Sequence, residues 1–265
     1  LCGITIDAIS KGGHYTCIQL PSYQVAIDMG VCPESAYRCN TVFFTHSHTD
    51  HMAGVVQHCS TREMMHMPPP RYIVGEENRA LFGDMLAAWR RLNRSFMPCV
   101  VEAIRPGEEI AVAKNIQARA FRSIHRVPCQ GYVFLESRDK LKPEFQGLPG
   151  REIAAARKRG EEITYREQAP LVAYMGDSTI EVMQREKILR EVKVLIMEVT
   201  FFDERVSPEN AKLHGHIHLE DVRRNADLFQ NERILVMHLS ARHNGEEARR
   251  EIDRILPPEL AERMV

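Results

Sequence analysis

His46-Ser47-His48-Thr49-Asp50-His51 is the stretch that decides the fold of this 265-residue chain. An apolar, β-branched run from Thr41 to Thr45 precedes it and predicts a strand, after which Thr49 offers the start of a helix. Side chains two residues apart on an extended segment point the same way, so His46 and His48 can converge on one metal ion. Asp50 and His51 lie where the chain turns, and their different direction suits a second ion. Only 12 of the 265 residues are histidine. Chance occurrence in an ordinary polar loop is therefore a poor explanation for this order of residues.

Further candidate ligands each follow a predicted strand. They are Asp177 after Leu171 to Met175, His238 after Arg233 to Met237, and His125 after the two strands predicted within Ile110 to Ile124. Any one of them alone could be an ordinary polar residue at the end of a strand. Because the ends of neighbouring strands can cluster at one edge of a sheet, these residues and the six-residue motif together predict one site.

The candidate ligands predict a centre with two zinc ions. Imidazole nitrogens and carboxylate oxygens are ligands that zinc accepts, and Mn²⁺ or Fe²⁺ are the alternatives. We expect the first ion to be bound by His46, His48 and His125, the second by Asp50, His51 and His238, and Asp177 to bridge them. Zinc lowers the pKa of bound water to about 7, so a water between the ions is the expected nucleophile.

Composition is that of an ordinary globular protein, with 44% hydrophobic and 27% charged residues. The formal net charge of -1 provides no global field that would attract nucleic acid or a membrane. No apolar run approaches the roughly 20 residues that cross a bilayer, and the N-terminus, which begins with Leu1, has no signal-peptide pattern. Seven cysteines without a CxxC motif favour reduced thiols and a cytoplasmic location.

The order of the predicted elements favours one α/β domain over residues 1–265. Short strands dominate the first 45 residues, and strands and helices are mixed thereafter. Leu81, Met85, Ala88 and Leu92 recur at helical spacing and predict a helix over Glu76 to Leu92. Further helices are predicted at Ile180 to Arg190, Leu219 to Phe229 and Glu246 to Ile255. This order fits a layered sandwich better than a doubly wound sheet.

Residues 138–168 form a short basic insertion. Eight lysines and arginines fall there, with Pro143, Pro149 and Gly150 among them. The pattern predicts a loop followed by a short basic helix near Arg151 to Arg159. A solvated insertion and a basic contact surface are both compatible with it.

The motifs resemble the metallo-β-lactamase superfamily and, within it, the ribonuclease Z family of tRNA 3′-processing endonucleases. The segment from His125 to Phe134 resembles the third motif of that family, and Gly176-Asp177-Ser178 resembles its Gly-Asp-Thr. Other segments are similar to the family's His-Glu-Ala-Thr, Gly-His-Ser-Thr and His-x-Ser-x-Arg-Tyr motifs; they are Met197 to Thr200, Gly215 to His218 and His238 to His243. The resemblance covers nearly the whole chain and implies a four-layer αββα sandwich.

The resemblance also implies a zinc-dependent phosphodiesterase that removes 3′ trailers from precursor tRNA. It implies a homodimer in which one subunit helps to hold the tRNA that the other cuts. By position, Asp50 would be a zinc ligand that helps to take the proton of the water. His216, oriented by Glu198, would donate a proton to the leaving ribose oxygen, which a poor alkoxide leaving group requires. His214 or His218 could be the acid instead, and Arg242 could contact phosphate or form a structural salt bridge.

Some residues depart from the family pattern and keep other functions open. Met197 replaces the first histidine of His-Glu-Ala-Thr, and Ile217-His218 replaces Ser-Thr. No long flexible arm rich in glycine and proline interrupts the chain. The alternative is therefore a small-molecule metallo-hydrolase that acts on a cyclic phosphodiester, thioester or lactone. A non-catalytic RNA-binding scaffold is a third hypothesis, and the complete set of ligands argues against it.

Overall fold

Two six-stranded β-sheets form the centre of the computed structural model, which describes residues 1–265. In sequence order, the strands of the first sheet are β1 (Asp7–Lys11), β2 (Tyr15–Leu20), β3 (Val25–Met29), β4 (Thr41–Phe43), β5 (Arg71–Gly75) and β6 (Val100–Ile104). The first three strands pair antiparallel, and β3 to β6 pair parallel.

The second sheet has the order β12-β11-β10-β9-β8-β7. Its strands are β7 (Glu109–Ala113), β8 (Ile116–Arg122), β9 (Gln130–Leu141), β10 (Thr164–Tyr174), β11 (Val194–Glu198) and β12 (Arg233–Met237). Strands β7 to β10 pair antiparallel, whereas β10, β11 and β12 pair parallel. The carboxyl ends of β8, β10, β11 and β12 therefore lie at the same edge of this sheet.

Helices flank both sheets. In chain order they are α1 (Thr49–Met52), α2 (Val55–Met64), α3 (Arg79–Asn93), α4 (Gly150–Lys158), α5 (Glu181–Arg185), α6 (Ile188–Glu191), α7 (Pro208–Leu213), α8 (Leu219–Arg224), α9 (Gly245–Ile255) and α10 (Pro258–Ala261). None of them is long and apolar enough to span a membrane.

The structure has four layers, and one apolar cluster fills each of the three spaces between them. Strand residues alternate between faces, so Phe43 and Ile73 join residues of the second sheet in the cluster between the sheets. Val42 and Tyr72 point the other way and pack under α2 and α3. A third cluster joins the outer face of the second sheet to α5, α6, α8, α9 and α10. Full burial of one such side chain stabilises the fold by about 1.5–3 kcal/mol, and the expected αββα sandwich is confirmed.

The apolar residues whose spacing predicted α3 lie partly outside the core. Leu81 and Leu92 are 71% and 75% exposed, whereas Phe82 and Leu86 of the same helix are buried. The helix itself is present at the predicted place. Helical spacing identifies an apolar stripe but does not decide which of two stripes on one helix faces the sheet.

The insertion is largely a hairpin rather than a loop. Strands β9 and β10 are already paired at their connected ends, where Leu141 lies opposite Thr164. Helix α4 lies in the segment that connects the two strands, near the position of the predicted helix. Four of the eight basic side chains in residues 138–168 pair with carboxylates: Arg138, Lys140, Lys142 and Arg159. Six acidic residues fall in the same range, so the segment is less basic than its lysines and arginines suggest. The exposed residues Arg151, Arg157, Lys158 and Arg166 form no ion pair.

Candidate metal centre and active site

All seven predicted ligands meet at the edge of the sandwich where the parallel strands end. The loop after β4 and helix α1 supply His46, His48, Asp50 and His51. His125 follows β8, Asp177 follows β10 and His238 follows β12. Parallel strands end at one edge, so ligands that lie up to 192 positions apart in the chain become neighbours.

The first group of ligands consists of His46, His48, His125 and Asp177. His46 Nε2 lies 3.0 Å from His48 Nδ1, which lies 3.3 Å from His125 Nε2. Asp177 Oδ2 lies 3.8 Å from His46 Nε2 and 3.9 Å from His125 Nε2. Four potential ligand atoms thus surround one point.

The second group consists of Asp50, His51 and His238. His238 Nε2 lies 3.3 Å from both His51 Nε2 and Asp50 Oδ2. Asp177 adjoins this group as well, because its Oδ1 lies 3.4 Å from His51 Nε2 and its Oδ2 lies 3.4 Å from His238 Nε2. Asp177 therefore stands between the two groups, as a bridging carboxylate must.

Four candidate ligands use Nδ1 for a hydrogen bond, which leaves Nε2 free to bind metal. They are His46, His51, His125 and His238. His51 Nδ1 lies 2.7 Å from Asp28 Oδ2, and His125 Nδ1 lies 2.9 Å from the carbonyl oxygen of Gly215. Both acceptors require a proton on Nδ1. His46 and His238 contact the hydroxyls of Thr45 and Thr200 at 3.0 and 3.1 Å, and each hydroxyl donates its own hydrogen to a carboxylate. These two histidines therefore also carry the proton on Nδ1.

The donor set fits metal ions better than it fits an empty site. His51 Nε2 and His238 Nε2 face each other at 3.3 Å, and Nδ1 of each ring already has its own hydrogen-bond partner. Asp177 Oδ1 is buried and has no hydrogen-bond partner. Both features are costly without a cation between them. Nitrogen ligands at about 2.0–2.1 Å from a tetrahedral zinc ion lie about 3.3 Å from each other, which is the spacing seen here.

Charge in the centre is arranged to attract a cation. Burial opposes the charged form of His51, but Asp177 and Asp28 raise its pKa well above the usual value. Burial also opposes ionisation of Asp50, yet its contacts with His238 and His51 hold its pKa well below the usual range. By contrast, burial lowers the pKa of His46, and neighbouring His51 adds to that effect. The carboxylates are thus ionised and draw positive charge, which metal ions can supply.

Asp28 contacts a candidate ligand, and the sequence motifs did not single it out. It is fully buried at the end of β3 and has a positive φ of 56°. Besides binding His51, its Oδ1 accepts the backbone N–H of Thr45 at 2.8 Å. Orientation of a histidine ligand by a carboxylate is common around zinc. A lone aspartate in the apolar run Val25–Met29 was the available signal, since a buried carboxylate needs partners.

Glu198 and His216 form a second pair beside the centre. His216 Nδ1 donates to Glu198 Oε1 at 2.9 Å, and the His216 ring stacks on His238 with centroids 5.4 Å apart. Glu198 is fully buried. Burial opposes the charged imidazole, but the Glu198 carboxylate outweighs it and raises the pKa of His216 to about 9. The pair is therefore a proton donor at neutral pH.

Thr200 links this pair to the ligand set, and it was also missed from the sequence. Its hydroxyl donates to Glu198 Oε2 at 2.5 Å and lies 3.1 Å from His238 Nδ1. Glu198 Oε1 also accepts the backbone N–H of Ser178 at 2.9 Å. Residues that follow two different strands thus hold Glu198 in place. Glu198 in turn holds His216 directly and His238 through Thr200.

The alternatives for the acid are disfavoured by their contacts. His218 caps α8, with Nδ1 accepting the backbone N–H of Glu220 at 3.0 Å and Nε2 lying 3.1 Å from the carbonyl oxygen of Asp203. Both of its ring nitrogens are therefore in use. His214 is exposed and has no side-chain partner near the ligands. Of the three histidines, His216 alone contacts Glu198.

Two departures from the family pattern have simple structural reasons. Met197 lies in the apolar cluster under the helices, because neighbouring residues of β11 point to opposite faces. A methionine there does not alter the side of the strand that carries Glu198. Ile217 belongs to the same cluster. Arg242 is exposed and forms no ion pair, so the salt-bridge interpretation has no support.

Gly215 is a glycine whose lack of a side chain the site requires. Its φ is +77°, and a Cβ there would lie 2.7 Å from His125 Nδ1. Any larger residue would displace the ligand that the Gly215 carbonyl orients. The same turn carries His216, so one glycine positions both a ligand and the acid.

Comparison with known proteins identifies close relatives. The chain is 36% identical over 258 residues to tRNase Z TRZ1 of Arabidopsis thaliana, which covers 97% of this chain and 92% of the relative. It is 33% identical over 246 residues to the chloroplastic tRNase Z TRZ2 of the same plant, covering 92% and 70%. A scan against protein-family models finds no match.

Solved structures show the same fold. The short form of human tRNase Z superposes with a TM-score of 0.62 at 17% identity, over 89% of this chain and 93% of that one. The metallo-β-lactamase fold protein YhfI from Bacillus subtilis superposes with a TM-score of 0.64 at 15% identity, over 95% and 92%. Both likenesses place the chain in the metallo-β-lactamase fold.

Proposed function

The chain belongs to the ribonuclease Z family, and on that premise we propose that it removes 3′ trailers from precursor tRNA. It is a metal-dependent hydrolase of the metallo-β-lactamase fold. The observation that carries the proposal is the Glu198–His216 pair beside the ligand cluster. A phosphodiester with an alkoxide leaving group needs such an acid, whereas a thioester does not.

The ligands divide between two zinc ions in this proposal. His46, His48 and His125 hold the first, Asp50, His51 and His238 hold the second, and Asp177 bridges them. Mn²⁺ or Fe²⁺ would suit the same nitrogen and oxygen donors. When bound, such ions acidify water and polarise a phosphoryl oxygen.

His216 delivers the proton to the leaving group. Its Nδ1 is held by Glu198, which leaves Nε2 to donate to ribose O3′. The water oxygen forms a bond to phosphorus as the P–O3′ bond breaks. The tRNA then ends in a 3′-hydroxyl and the trailer begins with a 5′-phosphate.

Asp50 helps to take the proton that the attacking water loses. The backbone N–H of Gly13 donates to Asp50 Oδ2 at 2.9 Å, and His238 lies against the same oxygen. These contacts fix the carboxylate and leave Oδ1 for the proton. The low pKa of Asp50 keeps its carboxylate ionised.

Precursor tRNA is the proposed substrate, supported by the names of the relatives. Since the net charge is only -1, RNA must bind through local cations, and binding should weaken with salt. Exposed, unpaired Arg151, Arg157 and Lys158 on α4 are candidates for contacts with the tRNA body. Arg242, beyond the ligand His238, is a candidate for contact with phosphate near the cleavage site.

A homodimer is proposed as well, with the α3 patch as its interface. This patch consists of Met64, Trp89, Leu92 and Phe96, all of which are exposed. The last turn of α2 adjoins the segment that follows α3, since the backbone N–H of Phe96 donates to Glu63 at 3.2 Å. Clustered apolar side chains on a surface are typical of an interface, and a twofold dimer would bury the same patch on both subunits.

The substrate class is tested with three substrates side by side. Zinc-loaded protein is incubated with a 3′-extended precursor tRNA, with bis(p-nitrophenyl) phosphate and with a thioester. His48→Asn removes a ligand, and His66→Asn is the matched control at an exposed histidine with positive φ, which asparagine tolerates. We expect the wild type and His66→Asn to cut the precursor and His48→Asn to fail. An intact precursor beside a hydrolysed thioester would favour the small-molecule hydrolase instead.

A further inference from the structure

A cavity of about 220 Å³ adjoins the metal-ligand cluster. Thr45 lines it and directly precedes His46, while the Sγ of Cys129, another lining residue, lies 3.4 Å from the carbonyl oxygen of Asp177. The cavity is smaller than the roughly 300 Å³ at the lower end of pockets for drug-sized ligands. Its size therefore suits one base or one phosphate.

Two arginines and two glutamates line the rim of the cavity, as two ion pairs. Arg122 lies 3.0 Å from Glu77, and Arg105 lies 3.9 Å from Glu76, with all four side chains well exposed. Exposed ion pairs contribute little to stability, so either guanidinium can exchange its carboxylate for another anion. Guanidinium groups bind phosphate through paired N–H donors.

The back of the cavity carries ordered amide groups. Gln130 is buried, and its Nε2 donates to the hydroxyl of Tyr132 at 2.6 Å. That bond fixes the amide so that its Oε1 faces Gly75, whose missing side chain leaves room in front of it. Together with Asn78, Gln130 offers hydrogen bonds that suit the edge of a base.

The cavity and the acid lie on opposite sides of the ligand cluster. In the first sheet, β5 and β6 lie beyond β4, and they end at Gly75 and just before Arg105. In the second sheet, β8 and β9 supply Arg122 and Gln130 on one side of β10, while β11 and β12 lie on the other side. Glu198 and its partner His216 belong to the β11 side. A strand of RNA that crosses the cluster would therefore meet His216 on one side and the cavity on the other.

We propose that this cavity, the trailer cavity, binds the first nucleotide of the 3′ trailer. The inference rests on the proposed function. His216 protonates O3′, which belongs to the tRNA, so the tRNA body lies on the β11 side and the trailer leaves toward β5 and β6. Gln130 and Asn78 contact a trailer base, and Arg105 and Arg122 bind the phosphate that follows the scissile one.

Removal of the arginines separates trailer contacts from contacts with the tRNA body. The test variant is Arg105→Ala/Arg122→Ala, and the matched control is Arg223→Ala/Arg254→Ala, which removes two exposed, glutamate-paired arginines elsewhere. KM is measured for precursor tRNA with a short trailer, and the inhibition constant is measured for the same tRNA without a trailer. Hydrolysis of bis(p-nitrophenyl) phosphate reports the integrity of the centre.

We expect the test variant to raise KM for the precursor about tenfold. The inhibition constant of the trailer-free tRNA and the hydrolysis of bis(p-nitrophenyl) phosphate should stay within about twofold of wild type, as should all values for the control. An unchanged KM for the precursor would overturn the trailer cavity, as would an equal loss of affinity for tRNA without a trailer. If the wild type leaves the precursor intact, the proposed function fails first and the inference falls with it.

Discussion

At the scale of single residues, the proposed site combines candidate metal ligands with one candidate proton-donating pair. The two groups meet at His238, whose Nε2 faces the other candidate ligands, whose Nδ1 lies against Thr200 and whose ring stacks on His216. His216 itself lies 4.0 Å from Asp177. The proton donor is thus adjacent to the centre, yet it is held by Glu198 rather than by the ligands. Removal of the acid should therefore leave the metal in place.

His216→Ala should slow cleavage of a substrate with a poor leaving group more than cleavage of a substrate with a good leaving group. A general acid contributes about 10²–10⁴-fold, so cleavage of precursor tRNA should fall within that range. Hydrolysis of bis(p-nitrophenyl) phosphate should change far less, because nitrophenolate leaves without a proton. Rates and zinc content are measured together, with His214→Ala as the control at an exposed neighbour. Loss of zinc, or an equal loss of rate with both substrates, would show that His216 is not the acid.

Asp28→Asn should weaken metal binding without removing a ligand. The amide keeps the size of the side chain and tolerates positive φ, but it cannot hold the N–H of His51 and the backbone N–H of Thr45 with a carboxylate. Loss of such a partner typically costs about 10–100-fold in metal affinity. Competition with a chelator measures that affinity, and Asp7→Asn, at an exposed aspartate, is the control. Unchanged affinity would mean that Asp28 serves the fold alone.

The sequence predicted the candidate ligands that the fold brings together, but not the residues that hydrogen-bond to them. Histidine and aspartate at strand ends are visible from spacing, because strand ends meet at one edge of a sheet. Asp28, Thr45 and Thr200 act through hydrogen bonds between strands that are distant in the chain. Such pairing is set by the tertiary fold and has no local pattern in the sequence.

At the scale of elements, strand prediction succeeded where apolar runs were short and bounded. The predicted strand at Arg233 to Met237 coincides with β12. Strands β1, β6 and β9 were not predicted; β1 and β6 carry polar or exposed residues, whereas β9 begins with a buried run from Gln130 to Leu135. The helix predicted over Ile180 to Arg190 is broken into α5 and α6 near Glu186, where the backbone leaves the helical region. Packing against the sheet decided these cases rather than local propensity.

The exposed apolar residues of the α3 patch predict that a single added negative charge disrupts the proposed dimer. Leu92→Glu places a carboxylate in the α3 patch, which an apolar interface cannot solvate. We expect the dimer to dissociate to monomer at micromolar concentration in sedimentation experiments, with a folded chain. Leu213→Glu is the control, since Leu213 is 73% exposed on α7. A monomeric wild type, or a dimer that tolerates Leu92→Glu, would contradict the assignment of the patch.

At the scale of the whole molecule, the metal centre joins the two sheets. Its ligands come from the ends of strands in both of them, so bound ions connect the layers that the apolar cluster between the sheets also connects. Carboxylates and lone pairs in close contact strain this edge when no cation is bound. The fold and its centre are therefore coupled, and the stability of the molecule should report metal binding.

Metal removal should lower the melting temperature. Binding at 100 times the dissociation constant stabilises a native state by about 2.7 kcal/mol, which for a chain of this size corresponds to roughly 5–10 °C. Scanning calorimetry with chelator, and then with zinc restored, measures the shift. The Asp177→Asn variant, which lacks the bridging carboxylate, should show a smaller shift. Equal melting temperatures for wild type with and without zinc would contradict the coupling.

The most direct test of the central claim is the chemistry of the product ends. Zinc-loaded wild type is incubated with a 3′-extended precursor tRNA, and the ends of both fragments are mapped by enzymatic labelling and mass spectrometry. We expect a tRNA that ends near the discriminator nucleotide in a 3′-hydroxyl and a trailer that begins with a 5′-phosphate, since His216 protonates O3′. A tRNA fragment that ends in a 3′-phosphate or a cyclic phosphate would contradict this account, as would a precursor that remains intact.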